Sequence, residues 1–346
     1  MALERSITGI FAHQDDESIL CAGTFAKYVQ EGADAYIVYV TDGRRGKIAT
    51  RKNSTNNHDA GNTAFQDIIT ARREGIGTLP VSSNGKRPGD EKYDLEVPAT
   101  AQRVQWLIEK RKEEANEAAR RLGIPPDHVI FLGIPDCQID RSSIEAIQRA
   151  MQETDTSVYV THGMDGMYGH PDHIATTMAV YSARDNLVKQ WTKTHPNGRP
   201  DTLPRFNMRK VAQAVVSDSD RLLVQYSKMN IPPRDLTVID TRAYKEQVLF
   251  SARAYETQQN LVEIFTERGL IGRGKEEFYD HNNLVPTSAG SGDLFANIDH
   301  PPITPEILTL EPANRFSSNI PDFHNRVKGA YVTIYENAPL PVHNIL

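Results

Sequence analysis

Five side chains in two short stretches have the types and spacing to hold a metal ion. His13, Asp15 and Asp16 fall in AHQDDES (Ala12–Ser18), and His170 and His173 fall in GHPDH (Gly169–His173). His13 and Asp16 are separated by two residues, and at a strand-to-helix turn that spacing can bring an imidazole and a carboxylate onto one ion. His170 and His173 are three apart, so at a helix start both can face the same way. Such groups are ordinary zinc ligands, and a catalytic zinc keeps three protein ligands and a position for water. The ion brings the water's pKa toward about 7 and polarises a carbonyl. A hydrolytic site also needs a general base and a donor for the developing oxyanion. Each fragment alone has a plainer use. Asp15 and Asp16 can cap a helix and complement its dipole, and HPDH can be a helix start with Pro171 in the first turn.

The surrounding pattern says how these residues could meet. SITGIFA (Ser6–Ala12) reads as a buried strand that ends at His13, followed by a helix up to Gly32. Ala35–Thr41, His128–Gly133, Ser157–Gly163 and Val211–Ser217 read as four further strands, with LLVQY after the last. Helices are expected over about 101–122, 142–153, from about Asp172, and in one piece over 242–268. This alternation predicts a Rossmann-like α/β fold, an open, mostly parallel sheet with helices on both faces. Ligands of such sheets bind at the carboxyl ends of the strands. His13, Asp15 and Asp16, then Thr41–Gly43, then Asp136, then His162 with His170 and His173, all fall at those ends. A nucleotide-dependent oxidoreductase is disfavoured, because HQDDE and not GxGxxG follows the first strand.

The 346 residues suit one large domain with additions, at 39% hydrophobic and 24% charged. Residues 1–284 are read as the main domain. Residues 43–98, polar with one helix near 63–74, are read as an insertion. Residues 285–346 form a proline-rich C-terminal extension with one strand at 330–336. It is expected to pack on the main domain or to join copies in a homo-oligomer. A net charge of −6 disfavours a nucleic-acid partner. No run of about 18 apolar residues marks a membrane span, and no secretion signal is read at the N-terminus. Cys21 and Cys137, the two cysteines, make no disulfide framework and read as small core residues. A reducing, cytoplasmic location is expected.

AHQDDES resembles the AHPDDE motif of the LmbE-like (PIG-L) family of zinc-dependent sugar N-deacetylases, and GHPDH resembles that family's second metal motif. RKEEANEAARRLG (Arg111–Gly123) and FLGIPD (Phe131–Asp136) are also similar to family segments, in the same order. The resemblance covers roughly residues 5–280, apart from the insertion. It implies a small-molecule amino sugar or glycoconjugate substrate and loss of an N-acyl group, acetyl being the group that the family removes. It implies Zn2+, or another divalent ion, on His13, Asp16 and His173. Asp15 would be the general base, and His170 would stabilise the oxyanion. Arg44, Arg45, Arg111, Asp136 and His162 are candidates for substrate contact. Alternatives are an amidase for a larger amide, such as a thiol conjugate, and a non-catalytic metal-binding protein. The chain departs from the family pattern at three places. Gln14 replaces the usual proline, Arg44 stands where an acidic residue is common, and RAYETQ puts Tyr255 in a histidine position.

Overall fold

The computed structural model describes residues 5–46, 100–164, 166–194, 210–215, 236–279 and 288–296. The helix near 63–74, the LLVQY segment, the strand at 330–336 and the 284/285 boundary lie outside the described residues.

The strands are β1 (Ser6–Phe11), β2 (Asp34–Thr41), β3 (Val129–Ile134), β4 (Val158–His162), β5 (Lys210–Val215), β6 (Thr237–Asp240) and β7 (Lys275–Tyr279). They form one sheet in the order β3-β2-β1-β4-β5-β7-β6. The first five strands pair in parallel. β7 runs antiparallel to both β5 and β6. The expected mostly parallel sheet is present, with an antiparallel edge that was not read from the sequence.

The helices are α1 (Asp16–Leu20), α2 (Ala22–Gln30), α3 (Thr100–Leu122), α4 (Arg141–Thr154), α5 (Gly166–Gly169), α6 (Pro171–Thr194), α7 (Lys245–Ala252) and α8 (Gln259–Glu267). Alternation along the strands fills both faces. Ile7 and Phe11 of β1 join Ile37 and Tyr39 of β2 against Phe25 of α2, Ala118 of α3 and Ala252 of α7. Ile10, Val38 and Val40 face Ile147 and Met151 of α4 and Met178 of α6. Period-two alternation with two apolar faces is what a sheet covered on both sides requires.

Two expected helices are broken, each for a visible reason. The helix before Gly32 splits at Cys21 (φ −156°, ψ 21°). Glu276 of β7 accepts hydrogen bonds from the backbone N–H of Gly23 and Thr24, at 2.9 and 2.7 Å, and so caps a new start. The helix expected over 242–268 becomes a short 3-10 turn (Arg242–Tyr244), α7, a second 3-10 turn (Glu256–Gln258) and α8. The interruption lets Thr257 donate from its backbone N–H and its hydroxyl to Glu114, at 2.7 and 2.6 Å.

Residues 288–296 lie across the edge where the strands begin. Lys210, fully buried, donates to the carbonyls of Leu294 and Ala296 at 3.1 and 2.9 Å. Asp293 accepts from Arg5 and from Tyr28. Cys21 is buried as expected, whereas Cys137 is exposed, on a turn with φ 62°.

Candidate active site

The sheet order reverses direction between β1 and β4, since the chain adds β2 and β3 on one side and then returns to the other. Side chains that follow those two strands meet at this crevice. His13, Asp15 and Asp16 follow β1, and His170 and His173 flank the start of α6 after β4.

His13 Nδ1 lies 3.1 Å from His173 Nε2 and 3.6 Å from Asp16 Oδ2. Asp16 Oδ1 lies 3.2 Å from His173 Nε2. Donors bound 2.0–2.1 Å from a tetrahedral ion sit about 3.3 Å from each other, so this spacing fits a zinc-sized cation. The opposite ring nitrogens are also engaged. His13 Nε2 faces Asp172 Oδ2 at 3.2 Å, and His173 Nδ1 faces the carbonyl of Gly166 at 3.2 Å. If those nitrogens donate, the lone pairs of His13 Nδ1 and His173 Nε2 point at one position. Metal-binding histidines are typically held in this way.

Electrostatics favour positive charge there. Burial lowers the pKa of His13, but hydrogen bonds to Asp16 and Asp172 outweigh it and hold the imidazole well above its usual range. Burial pushes His173 down to about 3, the neutral form a metal needs. Asp16 is buried, yet His173 and His162 hold its carboxyl well below the usual range. Its neighbour Asp15 goes the other way, raised well above that range by burial and by the charge of Asp16. Two adjacent carboxyls are thus driven apart, one toward a permanent anion and one toward a group that can take up a proton. Two further overlapping groups could also hold a cation, His13–His170–His173 and Asp16–His162–His173, and a third combines His13 with Asp136 and Asp172.

His170 sits at the lip. Its ring stacks on His173 with centroids 4.5 Å apart and meets His13 at 4.6 Å. The backbone N–H of Asp172 donates to His170 Nδ1 at 3.1 Å, which leaves the proton of a neutral ring on Nε2. That tautomer is a donor, suited to an oxyanion more than to a metal.

The remaining candidates separate. His162 is fully buried, stacks behind His173 at 4.0 Å and accepts from the backbone of Ala12 at 3.0 Å. It has no exposed surface and lies behind His173, away from the lip. Asp136 is buried and accepts from the N–H groups of Gly43 and Arg45 at 2.9 and 2.7 Å, so it fastens the loop after β2. Arg44 folds back on Asp42, donating from Nε to both carboxylate oxygens at 3.0 and 2.7 Å. Arg45 is exposed. Arg111 is buried beneath the 43–46 loop; a Cβ at Gly46 would lie 2.3 Å from its Cζ. Residues 47–99, most of the expected insertion, lie outside the described residues, as does Asp165.

The sequence reading gave no role to Asp172, Tyr39 or Gln258. Asp172 had a signal, because it precedes His173 in the first turn of a helix beside the site. Tyr39 and Gln258 had none, since both reach it from distant elements.

Fold and site together define a Rossmann-like α/β protein with a His/carboxylate centre at its topological switch point. A family described as "PIG-L: GlcNAc-PI de-N-acetylase" matches residues 9–184, just over half of the 346, and the chain belongs to that family. It is 26% identical over 323 residues to 1D-myo-inositol 2-acetamido-2-deoxy-alpha-D-glucopyranoside deacetylase of Rhodococcus jostii, covering 86% of this chain and 99% of the relative. The enzyme of the same description from Thermomonospora curvata is 24% identical, covering 86% and 92%. The crystal structure of GalB, the 4-carboxy-2-hydroxymuconate hydratase of Pseudomonas putida, superposes with a TM-score of 0.50 at 16% identity, covering 82% of this chain and 98% of that one. That likeness concerns the fold alone.

Proposed function

We propose that this chain is a metal-dependent N-deacetylase acting on an N-acetylated amino sugar joined to a polyol such as inositol. The observation that carries the reading is the convergence of His13 Nδ1, His173 Nε2 and the Asp16 carboxylate, with the outer nitrogens of both rings turned to Asp172 and Gly166. The family and the relatives' substrate supply the amino sugar.

His13, Asp16 and His173 would hold the ion, with zinc the first choice for this donor set. When bound, a divalent ion on these residues would supply Lewis-acid chemistry, lowering the pKa of a water and polarising the acyl carbonyl. Asp15, whose carboxyl burial and the charge of Asp16 raise well above the usual carboxylate range, accepts the proton of the attacking water. His170 donates a hydrogen bond from Nε2 to the oxygen that gains negative charge, and the proton that Asp15 has taken up passes to the departing nitrogen. The products are acetate and a free amine.

The test is a panel of N-acetylated sugars that includes the glucosaminyl-inositol glycoside and a thiol-conjugate amide, scored for amine and acid release with zinc and with a chelator. Zinc-dependent release of acetate is expected. Release of a longer acid in place of acetate would favour the larger-amide reading. No amine from any substrate, with zinc bound one to one, would overturn the proposal.

A further inference from the structure

Asp15 has φ 124° and ψ −19°, a backbone conformation that a residue with a Cβ rarely adopts. Such a geometry persists only where its surroundings over-determine it, and it gathers at functional sites. The residue before Asp15 and the residue two after it are tied to the same distant stretch. Gln258 Nε2 donates to the backbone carbonyl of Gln14 at 2.8 Å. Tyr255 donates its hydroxyl to Glu17 Oε1 at 2.7 Å, and Tyr39 donates to Glu17 Oε2 at 2.9 Å. Glu17, Tyr39 and Tyr255 are fully buried, and Gln258 nearly so. The stretch is itself anchored to α3 through Thr257 and Glu114. Within the turn, the His13 N–H donates to Asp16 Oδ2 at 2.7 Å, and the Ser18 N–H donates to the Asp15 carbonyl at 3.0 Å.

We propose that Tyr255 and Gln258 are positioning residues for Asp15, forming a clamp that holds the 13–17 turn in the conformation that aims the proposed base. The inference rests on the deacetylase reading for the role of Asp15. The clamp grips the backbone of Gln14 and the buried carboxylate of Glu17, and it leaves His13 and His173 to their own partners, Asp172 and Gly166. Its loss should therefore blunt proton removal while the metal stays bound. Three buried polar side chains aimed at one turn make little sense as core filling, because an apolar set of the same volume would pack without desolvating a carboxylate.

The experiment uses the full zinc-loaded chain as wild type, Gln258→Leu and Tyr255→Phe. The readouts are kcat and KM on the glucosaminyl-inositol N-acetyl substrate, zinc stoichiometry, and amide hydrogen exchange across residues 13–18. In each variant kcat should fall about 10- to 100-fold, as for a misplaced reacting group, with KM within about twofold. Zinc should remain at the wild-type ratio, and exchange in the turn should rise at least about tenfold. Tyr255→Phe removes one hydroxyl and keeps the ring, so it decides the matter if Gln258→Leu fails to fold. Unchanged exchange overturns the clamp, and so does unchanged kcat. Loss of zinc in step with kcat also overturns it, since the segment would then support the ligands. A wild-type chain with no deacetylase activity defeats the functional reading alone, and the exchange data still judge the clamp.

Discussion

Nε2 of His13 lies 3.2 Å from Oδ2 of Asp172, the residue just before His173. One helix start thus carries one proposed ligand, His173, and through its neighbour Asp172 steadies a second proposed ligand, His13. Asp172 also accepts from the Cys137 N–H at 3.1 Å, which fixes the carboxylate. Removing a partner of this kind usually costs about 10- to 100-fold in metal affinity. Asp172→Ala should weaken zinc by that factor in a chelator competition while the fold persists. Wild-type affinity in the variant would show that His13 does not depend on this carboxylate.

Asp15 and Asp16 should fail differently. Asp15→Ala is expected to lose about 10²- to 10⁴-fold in kcat, the usual worth of a general base, with zinc retained. Asp16→Ala should lose zinc first, because its carboxylate sits between two imidazoles. Metal analysis beside steady-state kinetics separates the two, and equal zinc loss in both variants would refute the division of labour.

Glu114 makes stability depend on pH. Burial pushes its pKa up to about 7, against the lowering effect of the hydrogen bonds from Thr257. The folded state therefore binds a proton that the unfolded chain releases near pH 4.5. The contribution is fully present below about pH 4.5 and is lost as pH rises to about 7, amounting to roughly 3 kcal/mol. Denaturant unfolding at pH 5 and pH 8 should show Glu114→Gln losing less stability across that span than wild type. Parallel pH profiles would count against a protonated Glu114.

Gly9 in β1 has no room for a side chain. A Cβ there would lie 2.4 Å from Phe11 Cε2 and 2.9 Å from Phe25 Cζ. Gly9→Ala should cost about 1–3 kcal/mol by overpacking, visible as a lower melting temperature. An unchanged melting temperature would mean that Phe11 and Phe25 repack freely.

Much of the architecture was legible because β1, β2 and β4 are apolar runs that stop at polar clusters, and those clusters mark the crevice. β6 and β7 escaped because TVID is only four residues long and KEEFY opens on three charged residues; their identity as strands comes from pairing with β5 and with each other. The helix expected over 242–268 was misread for a related reason. Its apolar spacing runs on, but Tyr255, Thr257 and Gln258 have tertiary partners that outweigh helix continuity. Likewise, nothing in the sequence showed that Arg44, a candidate for substrate contact, is bonded to Asp42.

The clamp also sets a timetable for synthesis. Tyr255 and Glu17 are 238 positions apart, and Gln258 and Gln14 are 244 apart. A ribosome making about 5–20 residues per second needs roughly 12–50 seconds to span that distance. During that interval the nascent chain already carries His13 to Glu17 without the segment that fixes them. Catalytic competence is therefore acquired late, after the parallel core has been made, and a chain that stalls before Gln258 would have the proposed ligands yet lack an aimed base.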